Sequence, residues 1–145
     1  MDIIGQFPYE QEVVTSVRHD TRIIVEQGAF DRFLNADGTN VFMLLGYDYA
    51  SSLSNQAAGL TVTSTDDALQ FSAKGIPNTL PAAREARMRI RENLVQGVIP
   101  GYRTFKSRTR ELPSGGELTV IEDAMLCEIN LVGRAVAGIN LRVKI

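Results

Sequence analysis

Runs of apolar and β-branched residues in the first third of the chain predict strands. Residues 12–18 and 21–26 are rich in β-branched side chains, and they predict two strands or one bent strand. His19 and Asp20 fall between these two runs, where a turn residue is the simplest role for the histidine. The continuous apolar run from Val41 to Leu45 is short enough for a strand that is buried on both sides.

The middle of the chain alternates with period two and predicts a β-hairpin. Residues 59–63 and 69–73 each alternate apolar with polar positions, and Asp66–Asp67 supplies the turn between them. The stretch before the hairpin, Ala50–Ala58, consists of small and polar residues. We therefore expect a surface loop there.

Helical periodicity extends over a long stretch at residues 80–96, which predicts the main helix. Pro81 suits its first turn after a cap by Asn78 or Thr79, and Gly97 is a natural stop. The predicted buried stripe consists of Ala83, Ala86, Ile90 and Leu94. A shorter helix is predicted at residues 29–35.

The last third of the chain predicts strands again. Tyr102–Leu112 is a long polar strand, the turn Pro113–Gly116 follows, and Glu117–Ile121 returns as its partner. Met125–Val132 is the most apolar late strand, and Ala137–Ile145 alternates as the last one. Together these patterns predict one α+β domain over residues 1–145. Its sheet is barrel-like and mostly antiparallel, with one long helix and one or two short helices.

Composition narrows the class of protein. The 145 residues are 44% hydrophobic and 22% charged, as in ordinary globular domains. The net charge of −2 gives no electrostatic case for nucleic-acid binding. Because no apolar run approaches the roughly 20 residues of a membrane span and no signal-peptide pattern is present, we expect no membrane partner. We expect the protein to work in a cytoplasm or in something assembled there.

The supply of metal-binding and nucleophilic side chains is small. Cys127 is the single cysteine and His19 the single histidine, which are too few for a zinc site built from sulfur and nitrogen ligands. Cys127 lies in an apolar run, so we expect a buried, inert thiol. No disulfide framework, metal or cofactor is expected.

Four sequence motifs occur in a fixed order. The first, EQGAF at residues 26–30, precedes the predicted short helix, and LLGYD follows at 44–48. After the hairpin and the long helix come GVIPGYRTF at 97–105 and LCEINLV at 126–132. Each motif alone is weak, whereas four in this order and at these spacings are fairly specific.

In these motifs the chain resembles the phage prohead (capsid maturation) serine proteases, whose fold is that of the herpesvirus assembly proteases. The resemblance covers most of the chain, from residue 26 to the last strand. It implies that the histidine base falls on Tyr47, the nucleophilic serine on Arg103 and the acidic residue that orients the base on Glu128. Of these three positions, Glu128 alone keeps the residue type of the family.

The two replaced positions cannot carry the reaction. A tyrosine has a reference pKa of about 10, so Tyr47 is protonated at neutral pH and is a poor base. Arg103 offers no nucleophile, and loss of the nucleophile alone typically removes on the order of 10⁶ in rate. A hydrolase would survive if His19 served as the base and Thr104 or Ser107 as the nucleophile, and this alternative stays open. We further expect an ion pair between Arg103 and Glu128.

The resemblance then implies a pseudoenzyme: a non-catalytic structural or interaction protein of a tailed-phage head or head-associated assembly. Its expected partners are capsid or other virion proteins, in a homo-oligomer or symmetric assembly. The alternatives are an active or residual capsid-maturation serine peptidase and a transient scaffolding or assembly factor. Two basic groups are candidate contact surfaces, with a merely solvated face as the alternative for each. They are Arg84, Arg87 and Arg91 on the helix, and Lys106, Arg108 and Arg110 on the polar strand.

Overall fold

The computed structural model describes residues 1–34, 36–133 and 141–144. These residues form ten strands, one α-helix and two single-turn 3₁₀ helices at Tyr49–Ser51 and Gln56–Ala58. The strands are β1 (Asp2–Pro8), β2 (Val13–Ser16), β3 (Thr21–Val25), β4 (Phe42–Leu45), β5 (Ser52–Asn55), β6 (Thr61–Ser64), β7 (Ala68–Ala73), β8 (Gly97–Glu111), β9 (Glu117–Val132) and β10 (Arg142–Lys144). The helix is α1 (Pro81–Arg91). The expected α+β class, rich in strands, is confirmed.

The first sheet has the order β10-β1-β7-β6 and is antiparallel throughout. It contains the predicted hairpin, in which Val62 of β6 pairs with Phe71 of β7. β1 was not predicted, yet it is the strand that joins β7 to β10. Ile3 and Phe7 of β1 are fully buried, so this strand supplies part of the core.

The second sheet is built around β9. One edge of β9 pairs in parallel with β3 along Glu117–Ile121 and then with β4 along Glu128–Leu131. β8 follows the opposite edge of β9 in an antiparallel ladder along almost its whole length. β2 pairs with β3 and β5 pairs with β4, which completes six strands. In the described ranges neither sheet closes into a barrel, and most of the pairings are antiparallel.

The late strands are longer than predicted because β-bulges keep them continuous. One strand, β9, spans the two stretches that were predicted separately, and β8 begins at Gly97 instead of Tyr102. Register shifts mark Phe105, Glu122 and Cys127 as extra residues in the ladder. A bulge lets a strand absorb a polar interruption such as Glu122 without ending.

The predicted loop at Ala50–Ala58 is wrong in part. It contains β5, whose Leu53 is buried, between the two 3₁₀ turns. The predicted short helix at 29–35 is also wrong, because residues 29–34 form successive turns and Asn35 lies outside the described residues. Of the predicted last strand, residues 137–140 and 145 likewise lie outside them.

The helix α1 is shorter than its sequence pattern indicates. It ends at Arg91, and Asn93 adopts a left-handed backbone with φ of 57° before the chain enters β8. Leu94, predicted on the buried stripe, is therefore 54% exposed. The expected side-chain cap is absent, since Leu80 occupies the N-cap and its side chain makes no capping bond, while Pro81 holds the first position as predicted.

A single hydrophobic core lies between the sheets and α1. It contains residues of β1, β3, β4, β7, β8, β9 and the turns at residues 29–34, with Phe7, Phe30 and Met43 among its largest buried side chains. The helix α1 packs against this core with two small buried side chains, Ala83 and Ala86. None of the helices within the described residues is long and apolar enough to cross a membrane.

Candidate functional site

Glu128, the acidic residue implied by the resemblance, lies at the centre of the second sheet. Its backbone pairs with Phe42 of β4 on one edge and with Gly101 of β8 on the other. Gly101 has no side chain, and a Cβ atom there would overlap the Glu128 side chain. Glycine at this position therefore lets the carboxylate of Glu128 lie across the backbone of β8.

The carboxylate of Glu128 is engaged by Tyr49. The Tyr49 hydroxyl donates a hydrogen bond to Oε2 of Glu128. This bond raises the pKa of Tyr49 to about 12, because the phenol proton is held by a carboxylate whose charge also opposes its loss. The Tyr49 ring meets Phe42 edge-on at 5.6 Å between centroids, which keeps the phenol over the sheet.

The turn after β4 explains why Tyr49, and not Tyr47, reaches Glu128. Gly46 and Tyr47 both adopt left-handed backbone, with φ of 60° and 42°. Such consecutive left-handed residues reverse the chain, and the Tyr47 side chain is left 62% exposed. Asp48 then caps the 3₁₀ turn by accepting from the Ala50 N–H at 2.9 Å, which fixes the position of Tyr49.

Arg103 does not form the expected ion pair. Its backbone pairs with Met125, and its guanidinium lies 5.6 Å from the centroid of the Phe105 ring. In the part of the chain that the structure describes, no ion pair joins Arg103 to Glu128, so that expectation is wrong. The carboxylate of Glu128 accepts a hydrogen bond from Tyr49 instead.

The hydroxyl groups close to Arg103 have no adjacent base. Thr104 pairs with Ala124 and Ser107 pairs with Ile121, and both hydroxyl side chains are exposed on β8. A hydroxyl oxygen becomes an effective nucleophile when a neighbouring group takes its proton. No imidazole stands beside either strand position.

His19 is remote from Glu128. It is exposed in the turn between β2 and β3, where the carbonyl oxygen of Asp20 accepts a hydrogen bond from the Glu117 N–H at 3.3 Å. Glu117 and Glu128 stand toward opposite ends of β9, and eleven residue steps correspond to roughly 35 Å of strand. A general base acts at about 3 Å from its proton, or through one water. His19 therefore lies out of reach of this site, and its prediction as a turn residue is confirmed.

Cys127 lines a cleft beside Glu128. Residues 122–127 of β9 pair with neither β3 nor β4, and a cleft of about 500 Å³ occupies this gap. Its wall includes the aromatic rings of Phe33, Phe42 and Tyr49. Cys127 is half-buried instead of fully buried as predicted, and its thiol donates to the Met125 carbonyl at 3.5 Å.

The thiol of Cys127 is held in its protonated form. Burial raises its pKa, and the negative charge of Glu128 raises it further, while the Arg103 N–H and guanidinium oppose the shift in part. Because the thiolate is the nucleophilic form, a raised pKa makes this cysteine a weak nucleophile.

Asn130 is a polar side chain that the sequence motif placed beside Glu128 without assigning it a role. It is fully buried on β9, between Leu44 of β4 and Ile99 of β8. Among the residues that the structure describes, neither its amide nitrogen nor its amide oxygen has a hydrogen-bond partner. Because a buried unsatisfied polar group costs about 1–3 kcal/mol, Asn130 lowers the stability of this part of the sheet.

The two predicted basic groups differ in exposure and pairing. On α1, Arg84 and Arg91 are exposed, whereas Arg87 is half-buried and donates to the side chain of Asn78. On β8, three predicted residues face solvent, but two of them are paired within the chain. Arg108 contacts Glu122 at 2.8 Å and Glu26 at 3.0 Å, and Lys106 contacts Glu122 at 4.0 Å, whereas Arg110 is exposed on the same strand.

Neither a metal site nor a relative emerges from the remaining observations. In residues 1–34, 36–133 and 141–144, no group of three or more potential ligands among histidine, cysteine, aspartate and glutamate is arranged to hold a metal ion. Comparison with known protein families, with curated proteins and with solved structures found no match for this chain. The resemblance to prohead proteases stays a prediction from the sequence motifs.

Proposed function

We propose that this chain is a non-catalytic, prohead-protease-like protein that serves as a structural or interaction component of a tailed-phage head or head-associated assembly. The proposal includes the barrel-like arrangement of strands that the resemblance implies. One observation carries it. The carboxylate at the position of the family's acidic residue, Glu128, accepts a hydrogen bond from the phenol of Tyr49.

That hydrogen bond fits a structural role better than a catalytic one. In a serine protease the acidic residue accepts from an imidazole, which then removes the proton of the nucleophile. Here the acceptor is occupied by a phenol whose pKa of about 12 keeps it protonated at neutral pH. A protonated phenol cannot take a second proton, so the Tyr49–Glu128 pair connects the 3₁₀ turn after β4 to β9 and activates no nucleophile.

A binding role is supported by the surface of β8. Its residues from Arg103 to Glu111 are all exposed, on both faces of the strand. Capsid and other virion proteins are the proposed partners. Weak contacts repeated over a symmetric shell add up to strong attachment, so no single large apolar patch is needed.

The first test is the composition of purified particles. Tailed-phage heads are assembled with and without this chain, purified on density gradients and analysed by quantitative mass spectrometry. We expect the chain in mature heads at a fixed ratio to the capsid protein. Heads assembled without the chain and mixed with it afterwards control for adventitious adsorption. Absence from mature heads but presence in precursors would instead favour the transient scaffolding alternative.

The second test is cleavage. The chain is incubated with capsid and scaffold proteins, and the products are followed by mass spectrometry. We expect no cleavage, and none after Tyr49→Phe, which frees the Glu128 carboxylate. Cleavage that disappears on Glu128→Gln would contradict the proposal and favour the peptidase alternative. The double variant Tyr47→His, Arg103→Ser then tests whether this fold supports the reaction once a base and a nucleophile are restored.

A further inference from the structure

The outer part of β8 is an exposed edge strand. All nine residues from Arg103 to Glu111 are exposed, and β8 pairs with β9 alone among the described strands. An edge strand presents backbone N–H and C=O groups that can pair with another extended chain. Ser107–Glu111 pairs with Glu117–Ile121 without a register shift, so this part of the edge is regular.

The hydrogen-bond pattern of the hairpin shows which backbone groups face outward. The Leu112 N–H donates to the Gly116 carbonyl at 2.8 Å, so these two residues form a hydrogen-bonded pair. This bond sets the phase of the ladder, that is, which of the following pairs are hydrogen-bonded and which are not. In an antiparallel pair the residues alternate between bonded and non-bonded positions. Ser107, Thr109 and Glu111 therefore occupy non-bonded positions, and their N–H and C=O groups point away from β9.

Two contacts on β9 confirm this phase independently. The Glu117 N–H donates to Asp20 at 3.3 Å, and the Ile121 carbonyl accepts from Glu26 at 3.0 Å. These backbone groups thus face β3, so the residues opposite them on β8 do not bond to β9. The hydroxyl oxygens of Thr109 and Thr119 lie 3.0 Å apart, as expected for the closer side chains of a non-bonded pair.

The charges on this edge select its partner. The exposed stretch carries four basic side chains and one acidic side chain, and Arg103 and Arg110 form no ion pair among the described residues. A second copy fits poorly, because four basic side chains and one acidic side chain give each copy of the stretch a net charge of +3. Antiparallel pairing centred on Ser107 places Lys106 opposite Arg108 twice, and its two Arg103–Glu111 pairs leave the excess of positive charge in place. Like charges opposite each other destabilise a strand pair, whereas an acidic strand meets opposite charges.

We propose that the edge of β8 from Arg103 to Glu111 binds an extended, acidic segment of a partner protein, which adds to the second sheet as a further strand. The proposal rests on the interaction role proposed above and specifies its surface and the chemistry of the partner. The outward N–H and C=O groups supply the backbone bonds. The basic side chains supply selection by charge.

The test uses the full chain and a fluorescent peptide of alternating acidic and β-branched residues, Asp-Val-Thr-Val-Asp-Val-Thr-Val-Asp. A peptide with lysine in place of aspartate is the charge control. Binding is measured by fluorescence anisotropy at two salt concentrations. We expect binding of the acidic peptide alone, weakened by salt, with slowed amide exchange at Ser107, Thr109 and Glu111.

Matched variants separate backbone pairing from charge. Thr109→Pro removes an outward N–H but no bond to β9, and we expect it to weaken binding roughly tenfold. Thr109→Ala keeps that N–H and is the control. Arg103→Glu combined with Arg110→Glu also weakens binding, whereas Arg84→Glu on α1 leaves it unchanged. Circular dichroism melts verify that each variant is folded.

The outcomes distinguish this inference from the proposed function. Equal binding of both peptides, or no exchange protection on β8, overturns the edge-strand inference. If the chain is found in mature heads but Thr109→Pro and the double charge variant are incorporated normally, the inference fails and the proposed function stands. If the acidic peptide binds as described but heads lack the chain, the edge site stands and the virion role fails.

Discussion

The inner part of β8 (Gly97–Tyr102) and its outer part (Arg103–Glu111) belong to one strand but differ in their surroundings. From Gly97 to Tyr102 every residue is buried or half-buried, and Gly101 pairs with Glu128. From Arg103 to Glu111 it is exposed on both faces. The partner strand β9 is held by β4 beside the inner part and by β3 beside the outer part. The comparison teaches that sensitivity to substitution should change abruptly within one continuous strand, near Tyr102.

The largest effect is expected at Gly101, in the inner part. Gly101→Val places a side chain where the Glu128 side chain lies, so one of the two has to move. We expect a loss of about 2–3 kcal/mol in the free energy of unfolding, measured by urea denaturation. Adding Glu128→Ala should recover part of the loss. Equal losses in the single and double variants would show that the overlap with Glu128 is not the cause.

The next effect, of opposite sign, is expected at Asn130. Asn130→Leu replaces a buried amide without a partner among the described residues with an apolar side chain of the same branching, so the free energy of unfolding should rise by about 1–2 kcal/mol. The measurement is again urea denaturation. Asn130→Asp is the matched control and should be destabilising, since it buries a charge. A loss of stability in the leucine variant would mean that the amide has a partner in solution.

A smaller effect with a characteristic pH dependence is expected at Tyr49. Tyr49→Phe removes the hydrogen bond to Glu128 and should cost about 1 kcal/mol at neutral pH, because the ring is largely exposed. The folded-state pKa of Tyr49 is raised to about 12, above the unfolded value, so its contribution is complete below the unfolded pKa and disappears as pH rises toward 12.

The measurement compares urea denaturation of the two proteins from neutral to strongly alkaline pH. The difference between them should shrink above about pH 10, where an unfolded tyrosine loses its proton. Taking the difference cancels the titration of the other tyrosines. A difference that stays constant up to pH 12 would contradict the assigned hydrogen bond.

The smallest effect is expected in the outer part, at Arg108. Arg108→Ala breaks the contacts with Glu26 and Glu122, yet the side chain is 61% exposed, so the loss should stay below about 1 kcal/mol. Chemical denaturation at low and high salt checks this value, and added salt should reduce it further. A loss as large as that of Gly101→Val would erase the contrast between the two parts of β8.

Local patterns were sufficient to predict much of the fold. The hairpin of β6 and β7, the strands β2 to β4 and the start of α1 follow from periodicity and from Pro81. β1 escaped prediction because Gly5, Gln6 and Pro8 interrupt its alternation. The continuity of β9 through Glu122 and Asp123 was also missed, since bulges and long-range pairing with β8 decide it.

The candidate site was less predictable than the fold. The motif led to Glu128 and to Arg103 as its expected partner, whereas the position of Glu128 between β4 and β8 is known from the structure alone. The actual partner, Tyr49, depends on left-handed backbone at Gly46 and Tyr47, which turns the chain after β4. Sequence spacing alone cannot report such a turn when one of its two residues is a tyrosine.

The central position of β9 has a consequence for how the protein folds during synthesis. β3 and β4 both need this late strand as a parallel neighbour, as in the pairs Ile23 with Thr119 and Met43 with Ile129. Contacts between residues so distant in sequence form slowly, and a growing chain lengthens by only about 5–20 residues per second. Until the ribosome has released Ile121, β3 lacks a neighbour on this side, and β4 lacks one until Leu131 has emerged. A nascent chain in that state is exposed to aggregation and to chaperones.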